Sequence, residues 1–202
     1  MERLLTIVIF LFSYSFGYSQ ILPSQHGVHH KKSSGGAGSC SSSESLMALP
    51  NQSSTYNSKV RGYHFTAPTD FCISAVKVPT DANSGCQSVA IVKFNSGPPP
   101  AYNNTTNDFS QLHYTSCLAS TDKITVDISV SQGDVIGIYG CRGTGCVISY
   151  GSGNYSTTIA ENAITLYRSL MQFNLVSNQM KEISSEGGGG ASISRVEMYY
   201  KN

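Results

Sequence analysis

From Ile124 to Val130 the chain alternates without a break: Ile124, Val126, Ile128 and Val130 are apolar, while Thr125, Asp127 and Ser129 between them are polar. A two-residue period places one set of side chains on each face of an extended strand, and no helix segregates that pattern. Val196, Met198 and Tyr200 repeat it against Arg195 and Glu197. Further strand-like runs occur at 60–66, 71–78, 87–94, 111–117, 135–139, 147–150, 163–167 and 171–175. Turn formers punctuate them: Ala67-Pro68-Thr69-Asp70, Pro79-Thr80-Asp81, Gly133-Asp134, Gly151-Ser152-Gly153 and the glycine run 187–190. No segment combines helix caps with a 3.6-residue period. About ten short strands with closely spaced turns predict an all-β chain, a two-sheet antiparallel β-sandwich or jelly roll. Pro98-Pro99-Pro100 predicts an extended crossing between strands.

The N-terminal region differs in kind. Arg3 precedes an apolar run from Leu4 to Phe12, and Gly17-Tyr18-Ser19 offers small residues for cleavage before Gln20. The run is shorter than the ~20 residues a bilayer span needs. Residues 1–19 therefore read as a signal peptide, which predicts a secreted, extracellular protein with no membrane insertion after processing. Residues 20–57 are poor in apolar side chains and rich in Ser, Gly and His, a composition that does not offset its own ordering entropy, so a flexible, disordered arm is expected there. Residues 58–202 are expected to form the β-sandwich domain. The polar end from Arg195 to Asn202 is not a lipid-anchor signal. Only 12% of the 202 residues are charged and the net charge is +1, so the basic face that nucleic acid requires is not expected.

All six cysteines follow the signal segment, and an even count in a secreted chain predicts disulfides rather than a metal site, since no CxxC pair occurs. Cys141 and Cys146 flank Arg142-Gly143-Thr144-Gly145, a hairpin-like turn, and are the best local pair. Cys72 with Cys86 is the second expectation. Cys40, in the arm, pairs with Cys117 or bonds another chain.

Several segments are familiar in order. Arg61-Gly62-Tyr63, Phe65-Thr66-Ala67-Pro68, Val78-Pro79-Thr80, Pro98-Pro99-Pro100, Ser131-Gln132-Gly133-Asp134-Val135-Ile136-Gly137-Ile138 and Ser194-Arg195-Val196-Glu197-Met198-Tyr199-Tyr200 together resemble a family of secreted β-sandwich modules of bacterial surface proteins. The resemblance spans about residues 58 to 200. It implies fold and location; that family has no settled activity. The cysteines depart from its pattern, and so does the lack of a C-terminal sorting tail.

No catalytic constellation stands out. Glu161, Glu182, Glu186 and Glu197 are not paired by any spacing, and no GxSxG, HExxH or P-loop occurs, so an enzyme is not expected. Nor is a cofactor. Asp70, Asp81, Asp108, Asp122, Asp127 and Asp134 are too scattered for a calcium loop, and Asp134 after Gly133 reads as a turn-tightening residue. His26, His29 and His30 read as a solvated tail, and His64 and His113 as strand residues. Sequons stand at Asn51, Asn103, Asn104 and Asn154. Their number is what a chain this rich in Ser and Thr yields by chance. Twelve Tyr and no Trp leave Tyr as the sugar-stacking residue. Tyr102, Tyr114, Tyr150 and Tyr155, in or near turns, are the ligand-contact candidates, with Tyr139 beside them. The expected role is a non-catalytic extracellular module, a structural, matrix or coat component, biomineral included, that acts on matrix proteins or extracellular polysaccharide. The alternative is a lectin-like carbohydrate-binding protein.

Overall fold

The computed structural model describes residues 42–152, 155–172, 175, 181–186 and 192–202. The chain runs through β1 (Ser45–Leu46), β2 (Gln52–Asn57), β3 (Arg61–Thr66), β4 (Phe71–Lys77), β5 (Gln87–Phe94), β6 (Phe109–Leu118) and β7 (Ile124–Val130). It continues through β8 (Val135–Arg142), β9 (Val147–Gly151), β10 (Tyr155–Ile159), β11 (Asn162–Met171), β12 (Ile183–Ser185), β13 (Ile193–Ser194) and β14 (Glu197–Lys201). The fold is all-β, as the periodicity predicts. One sheet has the order β1-β14-β4-β7 and the other β10-β11-β3-β8-β5-β6, with every strand pair antiparallel. The chain crosses between sheets as it proceeds, β3 to β4 to β5 and β6 to β7 to β8, so sequence neighbours face each other across the core.

The larger sheet is covered on both faces. Tyr63, Phe65, Val89, Ile91, Ile136, Ile138, Ile164 and Leu166 meet Phe71, Ile73, Val76, Val130 and Met198 of the smaller sheet. On the opposite face Val60, Ala90, Val92, Phe94, Tyr139 and Cys141 form a second cluster with Ile148, Tyr150, Met171, Leu175 and Ile183. Strand β9 carries part of this outer cover and pairs with β2 and β13. Double coverage explains why β5 and β8 are buried almost throughout while β7, open on one face, alternates.

The domain begins earlier than expected. Residues 45–46 pair with β14, Met47 is buried in the main core, and β2 runs along β9. Residues 45–46 and 52–57, assigned to the arm by composition, are strands of the fold. Polar composition hid these strands, because β2 is exposed at every position and is held by backbone pairing to β9 rather than by burial.

Cys141 and Cys146 are bonded across their turn, as the spacing predicts. The second pair differs from expectation. Cys86 bonds Cys117, not Cys72, because antiparallel β5 and β6 set Gln87 opposite Leu118 and bring the two Cα atoms to 4.7 Å. Cys117 also takes a positive φ of 45° where the register slips. The expected alternative of Cys40 with Cys117 is excluded by the same bond, and Cys72 is engaged in a disulfide of its own. Residues 1–19, Cys40, His26, His29, His30, Gly153, Asn154 and the glycine run 187–190 lie outside the described residues.

Two of the expected turns are held by carboxylates. The Asp134 side chain accepts from Ser131 N at 3.1 Å and pairs with Lys93 Nζ at 2.6 Å, and Asp70 accepts from Gln132 N at 2.7 Å. Arg142, the first residue of the hairpin-like turn in the sequence, ends β8 and is buried. Its Nε donates to the carbonyls of Val78 and Pro79, and Nη1 to those of Gly85 and Ser120. One guanidinium thus ties the β4–β5 and β6–β7 connections to the end of β8.

Candidate functional site

The triple proline and the residues after it do more than cross between strands. Ser185 N donates to Pro100 O at 2.7 Å, and Tyr102 N donates to Ser185 O at 2.8 Å. Thr106 and Ile183 exchange backbone bonds at 2.8 and 3.0 Å. The 100–106 segment is thereby laid against β12, which in turn pairs with β11. This outward extension of the larger sheet holds Tyr102, 59% exposed, at the rim of a cleft.

The cleft, of about 290 Å3, is lined by Tyr56, Lys59, Arg61, Tyr102, Leu170, Gln172 and Glu186. Its floor is an interlocked set of charges and rings. Glu186 Oε2 meets Arg61 Nε at 3.2 Å and also binds Arg168 Nε. The Arg61 guanidinium lies over the Tyr56 ring and that of Arg168 over the Tyr150 ring, each 4.9 Å from the centroid, and the two rings are 6.4 Å apart. Cation–π contacts of this kind hold a planar guanidinium in a fixed orientation. Arg61 Nη1 also donates to the carbonyls of Lys59 and Val60, both at 3.3 Å. Burial pushes the Tyr150 phenol up to about 12, outweighing the nearby arginines, and its hydroxyl has no hydrogen-bond partner among the described residues.

A second hollow, of about 420 Å3, is lined by His64, Thr66, Pro98, Pro99, Ala101, Tyr167 and Ser185. Tyr167, 43% exposed, stacks on the His64 ring at 5.4 Å, and Phe94 meets that ring edge-on at 6.2 Å. Desolvation pulls the His64 imidazole down to about 4, so it is neutral at ordinary pH. A third hollow, about 470 Å3, is lined by small and polar residues from Ser84 to Cys86 and Ala119 to Asp122, with no aromatic side chain.

The sequence-derived tyrosines therefore separate. Tyr102 lines the cleft and Tyr150 supports its floor. Tyr114 is half-buried and donates to Leu175 O at 2.7 Å, and Tyr155 packs against the main core on β10, so neither lines the cleft. Tyr139 is fully buried with its hydroxyl 2.6 Å from Ser169 Oγ. Tyr56, Arg61, Arg168 and Glu186 were not among the candidates. Tyr56 lies within residues 20–57, whose composition predicts an arm. Arg61 carries a signal, a cation inside the strand-like run 60–66, whereas Arg168 lies just past the run 163–167. Asn51, Asn103 and Asn104 are exposed, the latter two next to Tyr102. His113 is half-buried against Thr115 Oγ1 at 2.8 Å. Among the described residues no three His, Cys, Asp or Glu converge as metal ligands, and no helix is long and apolar enough to cross a membrane.

No family model matches the chain, and comparisons with curated proteins and with solved structures likewise found no match.

Proposed function

We propose that this protein is a secreted, non-catalytic module that binds an extracellular polysaccharide at the Tyr56–Tyr102 cleft. One observation carries the reading: two exposed tyrosines line a cleft whose Arg–Tyr–Glu floor is already locked in place. Flat aromatic faces suit the C–H faces of sugar rings, and hydrogen-bonding groups fixed in advance lower the entropic cost of holding them. The single carboxylate lining the cleft is held by two guanidinium groups, which suits it to shaping a pocket rather than moving a proton. Disulfides in an oxidising compartment fit an extracellular address. A place in a matrix or coat then follows as the setting of the activity, through a polymer that the module grips.

A glycan and matrix-polymer array, probed with the disulfide-bonded protein with and without Ca2+, tests the reading. Selective saccharide binding, lost in Tyr56→Ala and Tyr102→Ala and indifferent to Ca2+, is expected. A blank array from correctly folded protein would reject carbohydrate binding and turn attention to matrix proteins.

A further inference from the structure

The chain as a whole carries a net charge of +1, yet the cleft and its floor gather Lys59, Arg61 and Arg168 against the one carboxylate of Glu186. This local excess of two positive charges exceeds that of the entire molecule, in a protein with few charges of either sign. Lys59 has no carboxylate within ion-pair distance among the described residues; its amine donates 2.6 Å to the neutral amide oxygen of Gln172. The Arg61 side chain is only 10% exposed and that of Arg168 22%, so these cations are partly withdrawn from water, where their attraction for an anion is less screened. One carboxylate oxygen is shared between two guanidinium groups, each of which carries five donors.

We propose that the ligand of this cleft is an acidic saccharide, whose anionic group is received by Lys59 and the Arg61–Arg168 pair while its ring packs against Tyr102 and Tyr56. This rests on the carbohydrate-binding reading and narrows it to a substrate class. A guanidinium fork matches a uronate carboxylate or a sulfate ester in the same planar way, so the shared requirement is a fixed negative charge on the sugar. Glu186 acts here as an internal stand-in. Its carboxylate offsets the repulsion between the two arginines and competes with the incoming anion.

The test is calorimetric titration of the whole disulfide-bonded protein with uronate oligosaccharides of several backbones. Each is paired with its methyl ester, which keeps the sugar and removes the charge, and sulfated oligosaccharides form a third arm. The acid is expected to bind about tenfold tighter than its ester at low salt, with the gap closing as ionic strength rises past physiological values. Lys59→Gln, at an exposed position, is expected to narrow the gap about threefold, and Glu186→Gln to widen it. Tighter binding of the sulfated arm would support the same anionic class with sulfate as its source. Equal binding of acid and ester, insensitive to salt and to Lys59→Gln, would overturn the charge requirement while leaving carbohydrate binding intact. No binding by any arm would overturn both.

Discussion

Tyr102 is exposed and makes its anchoring contacts through backbone atoms, so its ring is free to serve a ligand at little cost to folding. Tyr102→Ala is expected to weaken saccharide binding by roughly 1–2 kcal/mol, about five- to thirtyfold, while leaving the thermal midpoint within a degree or so. His64 has the opposite character. Its imidazole sits at about 4 in the fold, below its ordinary value, so the unfolded chain takes up the proton more readily. Its contribution to stability is full above about pH 6.5 and is lost as pH falls from there toward 4, on the order of 3 kcal/mol at the limit. Burial lowers His113 in the same direction, so it adds to the slope. His64→Phe, which keeps a ring between Tyr167 and Phe94, should flatten but not abolish the decline in denaturant midpoint between pH 7 and pH 4. Arg142 shows what single residues conceal. Its neighbours Cys141 and Gly143 mark a turn, and nothing local says that the side chain points inward to four carbonyl groups. Arg142→Met leaves those carbonyls without their donor and should cost about 3 kcal/mol or more in chemical denaturation.

At the scale of elements, the legible strands were those with one open face. Alternation locates β7 to the residue, because its polar positions meet water. Strand β8 is buried along its whole length, so its sequence VIGIYGCR carries no period, and hydrophobicity with bounding turns was its only signal. Strands β1, β2, β10, β12 and β13 went unread. They are short or polar, and partners far away in the chain hold them, which no local window records. Gly62 on β3 belongs to the same lesson. A Cβ there would lie 2.0 Å from Ile138 O on the neighbouring strand and 2.7 Å from Tyr139 Cδ1. Gly62→Ala should therefore cost about 3 kcal/mol or more by forcing the β3–β8 pair apart, measurable as a lowered thermal midpoint. The disulfides differ in access. Cys141 and Cys146 are wholly buried in the outer cluster, whereas Cys86 and Cys117 are half-buried at the end of the β5–β6 pair. Mild reductant under native conditions should open Cys86–Cys117 before Cys141–Cys146, as read by alkylation and mass spectrometry, with the latter persisting until the domain unfolds. Closing a loop across 31 residues, the first bond should contribute roughly 4 kcal/mol on chain-entropy grounds.

The described domain is a sandwich whose larger sheet is covered twice, by the smaller sheet on one side and by β9, β12 and their connections on the other. The candidate cleft belongs to this second cover. It joins residues from the start of the domain (Tyr56, Lys59, Arg61), its middle (Tyr102) and its last third (Leu170, Gln172, Glu186). That wide separation is why the sequence exposed one member, Tyr102, and not the set. Fold class and candidate tyrosines follow from local pattern and composition; the juxtaposition of Glu186 with two arginines follows only from topology. The central claim, that this cleft binds extracellular polysaccharide, is tested most directly by calorimetry. Wild type, the Tyr56→Ala/Tyr102→Ala double variant and the surface control Leu46→Ala would each be titrated with the best saccharide from the array. Binding by wild type and control, with a loss of about a hundredfold in the double variant and a thermal midpoint lowered by only a few degrees through the lost Arg61–Tyr56 contact, is the predicted result. Equal affinity in all three proteins would place the site elsewhere and contradict it.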